Sequence, residues 1–284
     1  MAVAVVFDSA GTLLRTFRVA KDLSKRALLL DIETTILTFS SMDRVLLVLH
    51  AHSKDLMNAP PRQLLSEYLK LNRIGFGIAC TRKVITAEDV AEVLYHDGKA
   101  LVEDLQECIR AVWEECKREA IIAMDSGAIV NMSLGSIEFV ITTGGKPFSG
   151  AREAIRELHH MGIATYIASG DREAKLERIA DYLGIPRENV FGIATPSVKA
   201  KVVEDLRERY DMVVMVGDGI NDLPAFRSAD TAILTEQQAA ERPDELYRSA
   251  DYVVQDLAEV VRVVRVICES GGDICRINNA RRCV

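Results

Sequence analysis

Four short segments carry the residue types that phosphoryl transfer needs, and each follows an apolar run. They are Val6-Phe7-Asp8-Ser9-Ala10-Gly11-Thr12-Leu13-Leu14, Ile167-Ala168-Ser169-Gly170-Asp171, Thr195-Pro196-Ser197-Val198-Lys199 and Val216-Gly217-Asp218-Gly219-Ile220-Asn221-Asp222. Moving a phosphoryl group takes an oxygen nucleophile, cations that neutralise the phosphate oxygens, and donors that hold them in line. Asp8 at a strand end can supply the nucleophile, and Gly11 lets the backbone turn closely around a phosphate. Asp218 can join Asp8 in holding Mg²⁺, a hard ion that takes carboxylate, carbonyl and water oxygens. Lys199 can neutralise the carboxylate and phosphate together, and Ser169 can hydrogen-bond a phosphate oxygen. Asp222, four residues beyond Asp218, can fix a metal-bound water or orient Lys199 and is counted with the metal ligands. Thr12, Gly170 and Asn221 join Gly11 as phosphate-contact candidates. A lone Asp at a strand end, or a lone Gly-Asp-Gly, would be ordinary turn chemistry. Four such segments in this order, each after an apolar run, argue for a site. Lys201 rivals Lys199, but Val203 and Leu206 set a helical register that favours Lys199.

These segments need strands to deliver them. Val3–Phe7 is an uninterrupted apolar run ending at Asp8, as expected of a buried parallel strand. Similar runs recur at Ile163–Ala168, Val190–Ile193, Met212–Val216 and Thr231–Leu234, separated by helical patterns at Gly150–His160, Ala174–Leu183 and Val198–Arg209. The alternation predicts an α/β fold with a doubly wound, Rossmann-like parallel sheet, whose ligands sit beyond the carboxyl ends of the strands. From about Arg18 to Thr143 the rhythm breaks. Thr86 is placed to cap a helical segment running from Ala87 towards Ala120, with a break at Asp97 and Gly98. Pro61–Leu71 reads as a shorter helix, while Ala27–Phe39 and Ala128–Thr142 are richer in strand formers. We expect an α+β cap inserted as residues 18–143, with hinges near Arg15–Arg18 and Thr143–Gly145. The discontinuous core is then 1–17 and 144–270, followed by a tail, 271–284. Leu30-Asp31-Ile32-Glu33-Thr34-Thr35 imitates a catalytic strand end but lacks the Gly-Thr-Leu continuation, so Asp31 is assigned to the cap.

Composition narrows the field. The 284 residues carry a net charge of −7, which disfavours nucleic acid as a partner, and the short basic end of Arg276, Arg281 and Arg282 does not reverse this. Six cysteines without a Cys-x-x-Cys pair do not make a disulfide framework. Cys268, Cys275 and Cys283 form a loose series, read as buried or tail thiols rather than a metal site. The N-terminus has no basic region, and no stretch reaches the roughly 18 apolar residues that a membrane span requires. The expectation is a soluble, cytoplasmic protein whose oligomeric state is left open.

At these residues the chain resembles the haloacid dehalogenase superfamily, and within it the phosphorylation domain of P-type ATPases. Asp8-Ser9-Ala10-Gly11-Thr12-Leu13 is similar to their DKTGTL motif, and Gly217-Asp218-Gly219-Ile220-Asn221-Asp222-Leu223-Pro224-Ala225 to GDGINDAPA. The likeness covers roughly residues 1–15 and 146–270. It implies an aspartyl-phosphate on Asp8, with Ser169 as the phosphate-binding hydroxyl, Lys199 as the lysine, Asp218 as the metal ligand and Asp222 as the supporting acid. It also implies the Ala10 carbonyl as a further Mg²⁺ ligand. Hydrolytic members usually carry a second aspartate where this chain has Ala10, and that acid is worth about 10²–10⁴-fold in rate.

Two classes of function follow from this departure. The leading one is a Mg²⁺-dependent phosphatase or phosphotransferase for a small phosphorylated substrate. The other is a phospho-ligand-binding or regulatory module that hydrolyses little. Phosphonoacetaldehyde hydrolase also resembles the first motif and forms a Schiff base with a lysine. Lys21 and Lys83 are candidates for that role, although a surface lysine is the simpler reading of each. Arg82, Lys83, His96 and Lys99 could greet a phosphorylated substrate, or form a solvated charged face.

Overall fold

The structure is a computed structural model and describes residues 1–116, 123–238 and 242–270. Its strands, in chain order, are β1 (Val3–Phe7), β2 (Leu14–Asp22), β3 (Ala27–Leu30), β4 (Arg44–Leu49), β5 (Phe76–Thr81), β6 (Ala123–Asn131), β7 (Ser136–Pro147), β8 (Ala164–Ala168), β9 (Val190–Phe191), β10 (Met212–Gly217), β11 (Thr231–Thr235) and β12 (Tyr252–Val254). They form two six-stranded sheets in two compact units, Met1–Arg15 with Pro147–Val284 and Thr16–Lys146.

The first unit holds the sheet β12-β11-β10-β1-β8-β9, with parallel pairing throughout. All five residues of β1 are buried, as an uninterrupted Val/Ala/Phe run requires when both faces of a parallel sheet are covered. On one face Ala4, Val6, Val213 and Met215 pack with Val203 and Leu206 of the helix Pro196–Arg207 and with Phe226 of the helix Leu223–Ser228. The strand order reverses at β1, which lies between β8 and β10. Its last residue, Phe7, is level with Ile167 on one side and Val216 on the other. The residues that follow all three strands therefore emerge at one edge, the switch point where such sheets bind ligands.

The second unit holds the sheet β3-β2-β7-β6-β4-β5, with antiparallel pairing between β2 and β3, β4 and β5, β4 and β6, and β6 and β7. Val45, Leu47 and Leu49 alternate towards a core shared with Leu69, Leu94, Leu105 and Ile109 from the helices. Thr86 caps the helix Ala87–His96, accepting from the Asp89 N–H at 3.1 Å.

While other sequence expectations change here, the helical segment from Ala87 breaks at Asp97 and Gly98, as expected, into Ala87–His96 and Val102–Glu115. They part because the buried Asp97 carboxylate accepts from the backbone N–H groups of Lys99, Ala100 and Ile137. The end expected at Ala120 lies outside the described residues. Ala27–Phe39 is a strand followed by a helix, Thr34–Phe39. Asp31 turns the chain with φ of 50°, and the Thr38 hydroxyl donates to the Thr34 carbonyl, accommodating a β-branched residue in a helix. The helix expected from Pro61 begins only at Leu65. Both segments read as hinges are strand: Arg15–Arg18 lies in β2 and Thr143–Gly145 in β7.

Candidate active site

Asp8 leaves β1 with its backbone N–H still bonded to the Val216 carbonyl at 2.9 Å, which ties the loop after β1 to β10. The chain then folds back on itself. Leu13 and Leu14 donate to the Ser9 carbonyl, and Gly11 takes φ of 77° at the turn, a conformation that favours glycine. A methyl group at Gly11 would overlap the Asp218 carboxylate, and one at Gly217 would overlap that of Asp222. Gly11 lets the loop after β1 approach the loop after β10, and Gly217 lets that second loop close on its own Asp222.

Lys199 sits in the first turns of the helix Pro196–Arg207, where the Thr195 hydroxyl accepts from the Val198 N–H. Its ammonium donates to Asp8 Oδ1 at 2.5 Å and Asp222 Oδ1 at 2.6 Å, and the residue is 4% exposed. Lys201 instead reaches outward to Asp205. The second oxygen of Asp222 accepts from the backbone N–H groups of Asp218 and Gly219 at 3.1 and 3.2 Å. Asp222 thus holds the lysine with one oxygen and shapes the acid loop with the other. Asp8, Asp218 and Asp222 each present an oxygen within 4.8 Å of the others. Burial and the Asp222 charge push the Asp8 carboxyl up to about 7, against the opposing pull of Lys199. Burial pulls the Lys199 ammonium down, but Asp8 and Asp222 outweigh it and leave the group firmly charged.

Three hard carboxylate oxygens at one point fit a divalent ion of the Mg²⁺ type far better than a soft metal that wants thiolate or imidazole. The hydroxyls of Ser9 and Thr12, fully buried in the loop after β1, have no partner among the described residues. Buried hydroxyls are normally satisfied, so they favour a loop that holds a ligand or water. Ser169 follows β8, is 4% exposed, and accepts the Asp171 N–H at 3.4 Å. Ala10 is half-buried and bridges to Leu14, Gly170 lies beside the Ala194 carbonyl, and Asn221 is exposed at the rim.

Two residues that the sequence reading passed over belong to the same edge. Gln237 Nε2 donates to the Thr12 carbonyl at 2.9 Å. Arg242 Nε donates to the Asp218 carbonyl at 2.6 Å, and its Nη2 lies 3.4 Å from Asp218 Oδ2. Both follow β11, the neighbour of β10, and position after a parallel strand was the signal that could have found them.

The Schiff-base candidates look different. Lys21 is not a surface lysine: it is 3% exposed, in the second unit, and its ammonium pairs with Asp104 at 2.8 Å and Glu107 at 2.7 Å. Burial pulls its proton affinity down, but the two acids outweigh it and raise it, the opposite of what an amine nucleophile needs. Lys83 pairs with Asp43, Arg82 lies over the Phe39 ring, His96 meets Glu92 and Lys99 meets Ser136. Asp31 is exposed in the second unit. Cys268 lies in the helix Leu257–Glu269, while Cys275, Cys283 and the basic end lie outside the described residues.

Residues 3–230 match the family model described as haloacid dehalogenase-like hydrolase. A "Soluble P-type ATPase-like phosphatase" of Methanocaldococcus jannaschii is 30% identical over 269 residues, covering 94% of each chain. A "Copper-transporting ATPase" of Helicobacter pylori is 26% identical over 81% of this chain, which spans only 29% of that protein. Among solved structures, a phospho-aspartyl intermediate analogue of phosphoserine phosphatase covers 92% of this chain and 98% of its own at 16% identity, with a TM-score of 0.43. The chain belongs to the haloacid dehalogenase-like hydrolases. Its relatives include a P-type ATPase-like phosphatase, yet no described helix is long and apolar enough to cross a membrane.

Proposed function

We propose that this hydrolase is a Mg²⁺-dependent phosphatase that acts through an aspartyl-phosphate on Asp8, on a small phosphorylated substrate in the cytoplasm. The observation that carries the reading is Lys199, whose ammonium bridges Asp8 and Asp222 while Asp218 completes the carboxylate cluster. A cation held by Asp8 and Asp218, with the Ala10 carbonyl as a further ligand, would supply charge neutralisation for the phosphoryl oxygens.

The protein groups would do the rest. An Asp8 oxygen attacks phosphorus as the substrate's phosphorus–oxygen bond breaks, and the leaving oxygen keeps the bonding pair. Lys199 balances charge on the reacting oxygens, and the Ser169 and Thr12 hydroxyls and the loop N–H groups hold the phosphoryl group in place. Asp222 keeps Lys199 aimed and the acid loop closed. Water then attacks phosphorus, releasing phosphate and restoring the Asp8 carboxylate. With Ala10 where an acid would stand, the leaving oxygen takes its proton from water, and no side chain at that position activates the second water.

A panel of phosphorylated metabolites with Mg²⁺, including ATP and phosphonoacetaldehyde, tests this. Mg²⁺-dependent phosphate release should appear with wild type and vanish in Asp8→Asn; equal rates in the two proteins would rule the mechanism out. Ala10 favours a second reading, a phospho-ligand-binding or phosphotransferring module with slow hydrolysis. Ala10→Asp separates the two. A crippled hydrolase should gain rate, up to about 10²–10⁴-fold, whereas a purpose-built binder or transferase should gain none.

A further inference from the structure

Arg242 is an uncommon group to find beside a cation site. Its side chain is 5% exposed, against 23% for Asp218. Two carbonyls help to hold its head: Nε donates to the Asp218 carbonyl at 2.6 Å, and Nη2 to the Gln238 carbonyl at 3.1 Å. From that position Nη2 faces Asp218 Oδ2 at 3.4 Å. A guanidinium does not lose its proton, so this charge is permanent. Screened from water and tied to backbone, it also cannot swing away when another cation arrives on Asp218.

Charge counting shows the consequence. With all groups ionised, Asp8, Asp218 and Asp222 face Lys199 and Arg242, so one negative charge is left over. A divalent cation alone would overshoot to positive, and a dianionic phosphoryl group alone would deepen the negative excess. Both together leave the balance unchanged. Without Arg242 the cluster would be doubly negative, and a bare divalent cation would neutralise it by itself.

We propose that Arg242 is a positioning residue that couples the two ligands: it weakens binding of the cation alone and favours cation and phosphoryl group bound together. This rests on the reading of the carboxylate cluster as a Mg²⁺ and phosphoryl site. Two ligands that each relieve the charge left by the other must bind with reciprocal positive coupling. Arg242 thereby biases the site against idling as a metal complex in the absence of substrate. Gln237, which holds the Thr12 carbonyl from the same segment, steadies the opposite loop.

Calorimetric titration of the full chain with Mg²⁺, in the absence and presence of a fluoride phosphate mimic, tests the coupling directly. Arg242→Gln should bind Mg²⁺ alone about tenfold more tightly than wild type, because a fixed like charge a few ångströms away has gone. The same variant should bind the mimic, at saturating Mg²⁺, about tenfold more weakly. Arg242→Lys, which keeps the charge but not the fork, should fall between them. Loss of a merely structural contact would not tighten Mg²⁺ binding. Equal or weaker Mg²⁺ binding by Arg242→Gln, with wild type binding both ligands, would overturn the coupling and leave the site reading intact. If wild type bound neither Mg²⁺ nor mimic, the site reading would fall and the coupling with it.

Discussion

Asp8 carries two opposing demands: in the proposed mechanism it must be ionised to attack, yet it is buried beside two other carboxylates. Burial and the charge of Asp222 raise its carboxyl from the ordinary 3.8 to about 7. Between those values the folded chain binds a proton that the unfolded chain has lost. The contribution of Asp8 to stability without Mg²⁺ is therefore greatest below the lower value and is lost as pH rises through the upper one. Asp8→Asn removes that titration. Urea midpoints in chelator should fall more steeply between pH 4.5 and 7.5, roughly the span of the shift, for wild type than for Asp8→Asn. Parallel curves would mean that Asp8 is not raised. The residue types at the site were legible because each follows an apolar run, and Lys199 was separable from Lys201 by helical register. Arg242 was harder, because an arginine seven residues beyond a strand has only its place after that strand to mark it. Lys21 was misread as a surface lysine because nothing in its neighbours foretold the acids Asp104 and Glu107, which come from a distant helix.

At the scale of elements, one glycine decides how closely the loops after β1 and β10 approach. Gly11 combines a left-handed backbone with contact against Asp218, so Gly11→Ala meets both strain and overlap. The substitution should reduce stability by about 1–3 kcal/mol and remove phosphate release, as Asp218 is pushed off its position. A Gly11→Ala protein with unaltered thermal midpoint and turnover would contradict the loop geometry. The parallel strands were readable because burial on both faces leaves uninterrupted apolar runs. The antiparallel strands were harder. β4, Arg44–Leu49, buries alternate residues and begins with an arginine that pairs with Glu138, and β5 contains Gly77 and Cys80 among partly exposed positions. Neither matches a continuous run, and their pairing is set by residues far away in sequence. The Thr34–Phe39 helix was read as strand because β-branched residues favour strands in general, whereas its start was fixed by the turn at Asp31.

On the scale of the whole molecule, the chain makes two units that each bury their own apolar cluster. The carboxylate cluster lies wholly in the unit of Met1–Arg15 and Pro147–Val284. A ligand for that cluster should stabilise its own unit by about 2.7 kcal/mol at a hundredfold excess over Kd. Scanning calorimetry should resolve two transitions, only one of which rises with Mg²⁺ and the fluoride mimic. A shift of both transitions together, or of neither, would contradict this division of labour. The break in strand–helix rhythm was legible, but the sheet of the second unit was not, since strands interleaved with short helices give no single period.

The central claim is that phosphate passes through Asp8. Rapid acid quench after brief exposure to a turned-over phosphorylated substrate and Mg²⁺, followed by peptide mass spectrometry, reads it directly. The account predicts one added phosphoryl group on the peptide containing Asp8, absent when Mg²⁺ is chelated and absent in Asp8→Asn. Turnover with no phosphoryl group on that peptide, or with the group on another residue, would contradict it.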